Sequence, residues 1–556
     1  MLKPSALDAS DFSKTSEPVV VTARIDGITE EILKLIPEAK HQAAIAPFCS
    51  TGSMWIRVVG TAPGAKGFAS EVFDFEKYSG EGIPEAWRPY PTGLPQAVSA
   101  LLPEALQIDA MEDLGEDLGK AKAGSTMKSL LDLIMGPIVE AHAELVSAMQ
   151  TVQNILSTEG KSRSGHLKSF DEGAKKALAD FFPGLAIELG LQTVEVKEFF
   201  KAGSLNITDV ETGDRRTIDQ LGTGSQRAIQ MALIRHLADL KVGTKPVAAR
   251  RLLLIDEPEL YLHPQGVKRL RQALATLSQV GFQVVYATHS PLMLSRENAA
   301  DAVIIRKDKA HGTLARLPLR QAVADALDEA QAQSRTLFEL GNLAEIYFCD
   351  LVVLCEGKTE RRLLPLLYDR LRSRHPEIDQ VAFVAVGACS DIPKALPVLA
   401  AMGIQACGIA DLDFAFTEAR KGQKPLLPKD DEMLVRSKAV LKRLQPDHAF
   451  LLGDNGLPMK DKKTGWTAAD TWAVFAQDAE GAQISSDLHD ALLEHGVWIW
   501  KAGCLENVTG HEEKGEDAIL AQELAIGAMN AAGIEQAMPP IVQCFGWLDW
   551  LRANSV

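Results

Sequence analysis

The sequence predicts an α/β protein built as two successive parts. Strand and helix signals alternate from Leu221 to about residue 305, and again from Leu351 to residue 410. That alternation is the pattern of a largely parallel sheet covered by helices. In both stretches an apolar run of strand length ends in acidic residues: Arg251-Leu-Leu-Leu-Ile255 before Asp256 and Glu257, and Leu351-Val-Val-Leu-Cys355 before Glu356. At 556 residues the chain is also too long for a single hydrophobic core.

The first hundred residues read as strands and turns. The β-rich runs 18–25, 54–59 and 71–75 are bounded by Gly, Pro or Ser. From about 125 to 180 the spacing of apolar residues becomes helical, with Pro137 the strong breaker within Thr126–Leu156. A helical insertion used for dimerisation and an ordinary packed helical subdomain both fit. Strand signals return at Thr193–Val196 and Leu205–Thr208. Then come a helix at 224–240, a strand at 252–255, a helix at 265–278 and strands at 283–288 and 302–305. The polar, Ala/Gln-rich stretch 319–345 reads as a helical junction, which divides the chain into parts 1–340 and 345–556. The second alternation follows as strand 351–355, helix 358–372, strand 381–386, helix 391–402 and strand 406–410.

Composition excludes several classes. The chain is 46% hydrophobic and 24% charged, as soluble globular proteins are. It has no run of 18 or more apolar residues, so no membrane association is expected. Met1 to Phe12 is polar and lacks the apolar core of a signal peptide. The seven cysteines form no CxxC pair or zinc spacing, which predicts a reducing, cytoplasmic setting. A net charge of −16 argues against broad nucleic-acid affinity but leaves room for a local basic groove.

The first chemical constellation lies in the first alternation. Carboxylates at the end of an apolar strand, Asp256 and Glu257, suit a nucleotide hydrolase, one holding the Mg²⁺ shell and the other polarising water. The turn Leu221-Gly-Thr-Gly-Ser-Gln-Arg227 feeds an amphipathic helix whose N-terminus can face a phosphate. Its candidate contacts are Gly222, Gly224, Ser225 and Gln226. His289, in Val284-Val-Tyr-Ala-Thr-His-Ser-Pro291, falls just past a strand at the same sheet edge.

At these residues the chain resembles the ATP-binding-cassette family, with a signature-like LGTGSQ, a Walker B-like LLLIDE and a switch-histidine THS. The resemblance implies bound ATP and a dimer in which the signature of one copy caps the nucleotide of the other. No GxxxxGK[ST] Walker A motif is found. Gly160-Lys-Ser162 has the ending, but Ile155 stands where the first glycine is required and a helix precedes it. The expectation is a truncated N-terminus, with ATP bound where the missing segment is present.

The second constellation lies in the second alternation. Glu356 ends one strand, Gly357 turns the chain into a helix, and Glu360 stands one turn on. A later strand ends in Asp411-Leu-Asp413, and strand periodicity would point both aspartates to one side. Oxygen ligands of this kind suit Mg²⁺ or Mn²⁺, and a cation relieves the repulsion among them. Two positions are weaker. Gly387-Ala-Cys-Ser-Asp391 brings Ser390 or Asp391 toward the site or forms an ordinary helix cap. Val497-Trp-Ile-Trp-Lys-Ala-Gly-Cys-Leu-Glu506 is a late strand and turn carrying Lys501 and Glu506. Six of the eight Trp follow residue 465 and read as core or interface packing. Lys460-Asp-Lys-Lys463 reads as a solvated loop.

The acidic set resembles the TOPRIM domain of topoisomerases, primases and nucleases. An ABC-type ATPase head with a helical insertion, followed by a TOPRIM α/β domain with a C-terminal extension, resembles the OLD (overcoming lysogenisation defect) family, including the nuclease subunit of Gabija-type defence systems. The resemblance implies metal-dependent nicking or cleavage of DNA, in phage defence or DNA repair, by a homodimer or larger assembly. One branch of the family implies a UvrD-like helicase partner. It implies catalytic roles for Glu356, Glu360, Asp411, Asp413 and Lys501. Glu356, Asp411 and Asp413 would hold one metal, and Glu360 with Glu506 a second. A topoisomerase would need a tyrosine nucleophile, and none of the six Tyr sits in a recognisable context. The rival readings are a DNA-binding ATPase scaffold that does not cut and a non-enzymatic sensor.

Overall fold

The computed structural model describes residues 7–12, 17–49, 52–64, 68–75, 86–102, 105–108, 143–179, 188–189, 206–217, 220–239, 251–279, 282–308, 312–326, 343–422, 424–448, 450–510 and 515–554. They divide into two units, Met1–Met293 and Leu294–Val556. Among them, no helix is long and apolar enough to cross a membrane.

Unit 1 begins with an antiparallel sheet of β1 (Val19–Asp26), β2 (Ser53–Gly60), β3 (Phe68–Phe73) and β4 (Trp87–Pro89), in that order. Side chains of β2 alternate between buried and half-buried, as a sheet with one face on a core requires. Its core gathers Met54, Ile56 and Val72 against Ile45, Phe48, Leu94 and Val98 from the flanking helical segments. A second, parallel sheet has the order β5 (Ala105–Ile108), β8 (Arg251–Asp256), β9 (Phe282–Ala287). Between β8 and β9 runs the helix Pro264–Gln279, which lays Val267, Leu270, Leu274 and Leu277 on Leu253, Ile255 and Phe282. Those four positions recur at helical spacing, so one stripe of the helix faces the sheet.

The expected helical insertion appears as the helices Ala143–Leu156 and Gly165–Ala179; its residues 125–142 lie outside the described residues. Gly160-Lys-Ser162 lies in the turn between these two helices, where a Cβ on Gly160 would collide with the Asn154 carbonyl. A chain-packing reason thus accounts for that glycine. Of the expected strand signals, Thr193–Val196 and Leu205 fall outside the described residues. Asn206–Thr208 (β6) pairs with Arg215–Thr217 (β7) as a small hairpin.

Unit 2 is organised by a four-stranded parallel sheet in the order β13 (Val381–Ala385), β12 (Leu351–Cys355), β14 (Gln405–Ala410), β17 (Val497–Ile499). Every residue of β12 is buried. Val352 and Leu354 face one core, and Leu351, Val353 and Cys355 face the other. A strand covered on both faces reads as a continuous apolar run, which is why the sequence shows no alternation there. The helix Lys358–Arg372 covers one face through Leu363, Leu364, Leu367 and Tyr368. The helix Ile392–Ala401 covers the other through Ile392, Ala395, Val398 and Leu399. A short hairpin, β15 (Leu451–Leu452) with β16 (Pro458–Met459), lies between β14 and β17 along the chain.

One sequence expectation changes. The strand expected at 302–305 is instead β10 (Ile305–Asp308), which pairs antiparallel with β11 (Gly312–Ala315) and does not join the parallel sheet. The two compact units part between Met293 and Leu294. Ala299, Ile304, Leu319 and Ala322 are buried in the same core as Val352 and Leu354, so apolar packing assigns them to unit 2.

Gly408 sits in β14 where it pairs with both neighbours, and a Cβ there would lie 2.6 Å from Ile392 Cγ2. Gly408→Ala is expected to destabilise unit 2 by about 1–3 kcal/mol through overpacking. Urea denaturation of the full chain measures the loss.

Candidate active sites

In unit 2 the acidic residues are brought together by parallel pairing. β12 and β14 run side by side in the same direction, so Glu356 and Asp411 leave the sheet at the same edge. Strand-to-helix turns collect at the C-terminal edge of such a sheet, which makes it the usual place for a site. The third strand of the set, β17, pairs with β14 and delivers the turn that carries Lys501, Cys504 and Glu506. The backbone joins this turn to the aspartates: Trp500 N donates to Ala410 O at 3.2 Å and Leu412 N to Gly503 O at 2.7 Å.

Asp411 and Asp413 are not on one strand. β14 ends at Ala410, and Asp411 caps a 3₁₀ helix, Leu412–Phe416. Strand periodicity therefore does not set the directions of the two side chains. Buried Leu412, Phe414 and Phe416 bend the chain here, with Phe416 stacked on Trp472 at 4.2 Å. The two carboxylates nevertheless stay within electrostatic reach of one another.

One oxygen on each of Glu356, Asp411 and Asp413 is sealed from solvent, although part of each residue reaches it. Asp411 Oδ1 has no hydrogen-bond partner among the described residues. Burial, reinforced by the negative charges of Glu360, Glu356, Asp413 and Glu506, holds the Asp411 carboxyl well above the usual carboxylate range. Glu360 is buried at 5% exposure, and its Oε2 accepts the Gly357 N–H at 3.1 Å, which also closes the start of its own helix. A sealed oxygen amid five carboxylates is the arrangement a divalent cation relieves, and the residues fit one.

The weaker sequence candidates divide. Asp391 is paired with Lys394 Nζ at 3.0 Å. From the same loop it is Cys389 that lies near Glu356 and Asp413; burial first, then those charges, pushes its thiol up to about 12. Lys501 is exposed in the turn after β17, and its charge is felt at His489. Glu506 joins the cluster around Asp411, and with it Cys504, which sequence reasoning passed over. Burial, with Asp411 and Glu506 beside it, pushes the Cys504 thiol up to about 12. Its proximity depends on the β14–β17 pairing, and no local pattern signals it.

In unit 1, Asp256 and Glu257 end β8, and His289 follows β9. β8 and β9 are paired in register, Asp256 opposite Ala287, and Glu257 N donates to Ala287 O at 3.0 Å. His289 Nε2 stands 3.5 Å from Glu257 Oε1, with the imidazole 87% exposed. Glu257 itself adopts φ of +43°, an uncommon conformation for a residue with a Cβ. Such backbone is kept where its surroundings over-determine it.

Arg227 supplies that constraint. It is 1% exposed, and its guanidinium donates to Asp256 O at 3.1 Å and Glu257 O at 3.2 Å. The same group reaches Gln230 Oε1 at 2.8 Å. The helix Thr223–Asp239 is thereby held against the acidic strand end. Gly222 and Ser225 are exposed at its start, and Gln226 is buried with its side chain donating to Leu221 O at 2.9 Å. Gly224 approaches Tyr261 so closely that a Cβ would sit 2.8 Å from the Tyr261 carbonyl oxygen. Glu259, two residues beyond the acidic pair, accepts from Thr288 Oγ1 at 2.6 Å and His289 N at 3.1 Å. It therefore positions the histidine loop.

Comparison with known proteins agrees with both halves. Residues 150–295 match an AAA domain family that includes a candidate AbiEii toxin of a type IV toxin–antitoxin system. Residues 347–413 match the TOPRIM domain of overcoming lysogenization defect protein-like sequences. The chain is 31% identical over 518 residues to the Old nuclease of Escherichia phage P2, spanning 92% of this chain and 86% of that protein. It is 28% identical over 203 residues to the OLD nuclease of Thermus scotoductus, covering 35% of this chain and 36% of that protein. The crystal structure of Stu0660 of Streptococcus thermophilus aligns over 50% of this chain and 70% of its own at 9% identity, with a TM-score of 0.30.

Two outcomes follow from this geometry. Arg227→Ala should destabilise unit 1 by about 1–3 kcal/mol, because acceptors at the β8 exit lose their donor. Hydrogen exchange of the β8 and β9 amides measures the loosening. For Asp411, a folded-state pKa above the unfolded value means that stability is lost as pH rises from the unfolded pKa toward the folded one, so at neutral pH the penalty is present. Asp411→Asn should therefore melt higher than the native protein in chelator, by roughly 2–4 °C for each kcal/mol relieved. Added Mn²⁺ should stabilise the native protein and not the variant.

Proposed function

The chain belongs to the OLD nuclease family, and from that premise we propose that it is a metal-dependent DNA endonuclease governed by an ATP-binding module. One observation carries the reading: Glu356, Glu360, Asp411, Asp413 and Glu506 converge where three adjacent parallel strands end, around a sealed carboxylate oxygen. Glu356, Asp411 and Asp413 would hold one Mg²⁺ or Mn²⁺, and Glu360 with Glu506 a second. Ions held there would supply Lewis acidity toward a phosphodiester and offset charge on its leaving oxygen.

The protein's own groups do the positioning. Glu356 and Asp411 are placed by paired strands, so their separation is set by sheet geometry. Asp413 is placed by a turn wedged with buried aromatics. Exposed Lys501 would meet the scissile phosphate from the solvent side and neutralise it in the transition state.

The second half of the proposal concerns unit 1. Asp256 would hold the Mg²⁺ of ATP, Glu257 would polarise the attacking water, and His289, 3.5 Å from Glu257, would sense the nucleotide. The turn at Gly222, Gly224 and Ser225, exposed at Gly222 and Ser225 and with Gln226 behind it, would cap the nucleotide of a second copy, which makes a homodimer the working unit. On the family resemblance, its setting would be phage defence or DNA repair. The second reading is a DNA-binding scaffold or sensor that does not cut. The lack of a GxxxxGK[ST] motif in the sequence favours the sensor.

Supercoiled plasmid incubated with the full chain decides between them. Nicked or linear product is expected with Mg²⁺ or Mn²⁺, and its rate should change when ATP is added. The Asp411→Ala/Asp413→Ala double variant should fall at least about a hundredfold, the order expected when groups stabilising the transition state are lost. No cutting by the native chain with either ion would leave the scaffold reading.

A further inference from the structure

The cluster around Asp411 contains a sulfur atom that an all-oxygen magnesium site has no use for. One ligand atom each from Asp411, Cys504 and Glu506 lies within 4.8 Å of the others. Cys504 is 2% exposed, so its thiol faces the interior of the site and not bulk water. The spacing is set by backbone: Leu412 N is bonded to Gly503 O, and Gly503 takes φ of +109° immediately before the cysteine. A Cβ on Gly503 would lie 2.8 Å from Asn507 Nδ2 and 3.3 Å from Ala473 N, so the turn is seated tightly. A second and independent observation is the sealed Asp411 Oδ1, a buried acceptor without a hydrogen-bond partner among the described residues.

We propose that Asp411, Cys504 and Glu506 form a mixed oxygen–sulfur site for a thiophilic divalent cation, zinc or a softer ion. Hard ions select oxygen sets, whereas thiolate raises affinity for softer ones. The oxygen set of Glu356, Glu360 and Asp413 remains for a hard ion, so the two halves of the cluster differ in the metal they accept. Because Asp411 is shared, a soft ion in this half would displace or reposition the hard ion, and thiophilic metals would inhibit an enzyme that magnesium supports. The proposal rests on the nuclease reading only for that last consequence; the site itself does not depend on it.

Cobalt(II) added to the metal-stripped full chain tests the site directly. A near-ultraviolet thiolate-to-cobalt charge-transfer band is expected, lost in Cys504→Ser and Cys504→Asp and retained in Cys389→Ser. Calorimetry should find Cd²⁺ affinity reduced at least about tenfold in Cys504→Ser, the scale of a lost supporting contact at a metal site. Cys504→Asp keeps a ligand of similar reach but makes the set all oxygen, so it should bind Mn²⁺ at least as tightly as the native chain. It also decides the matter should Cys504→Ser fail to fold. A native chain without the band, or a band that survives in the Cys504 variants, overturns the sulfur site. The plasmid assay separates the two readings. Cutting without the band leaves the nuclease and removes the sulfur site; the band without cutting does the reverse.

Discussion

Repulsion among carboxylates is the constraint around which unit 2 is arranged. Four negative side chains surround Asp411, which itself contributes a sealed oxygen. Left in a flexible loop they would separate into water. They stay together because each leaves a rigid element: β12 for Glu356, the helix that follows it for Glu360, the end of β14 for Asp411, and the turn after β17 for Glu506. The rigidity comes from burial on both faces of the sheet, since β12 has no exposed residue to yield. Apolar packing on each side thus offsets an electrostatic cost concentrated at one edge.

Unit 1 solves a related problem by other means. Its acidic exit is a strained backbone position at Glu257, and a buried cation, Arg227, holds the carbonyls on either side of the bend. Glu259 carries out the same service for the histidine loop, accepting from Thr288 and from the His289 amide. Gly224 permits the close approach of the helix start to Tyr261. Arg227 and Glu259 thus hold the acidic strand end and the histidine loop through hydrogen bonds of their own. The motif residues and their supports therefore form one mechanical unit at the ends of β8 and β9.

The sulfur at Cys504 gives the acidic cluster an asymmetry that its carboxylates alone lack. Sulfur beside Asp411 and Glu506 makes one half of the cluster chemically distinct from the half at Glu356 and Glu360. The turn that carries Cys504 is positioned by main-chain bonds, Leu412 N to Gly503 O and Trp500 N to Ala410 O.

Much of this was legible in the chain itself. The strands 351–355 and 251–256 announced themselves as apolar runs, because burial on a parallel sheet leaves no polar alternation to confuse them. Their terminal acids, Glu356, Asp256 and Glu257, were legible for the same reason, and Glu360 by its place one helical turn on. What local pattern could not supply was pairing. That β17 lies beside β14, bringing Cys504 and Glu506 to Asp411, is a contact between segments far apart in sequence. That Asp413 is carried by a turn, and that residues near 305 form a hairpin and pack with unit 2, were likewise decided by where buried side chains found partners. Residue type and spacing determined which chemistry the chain carries; long-range packing alone decided which of those groups meet.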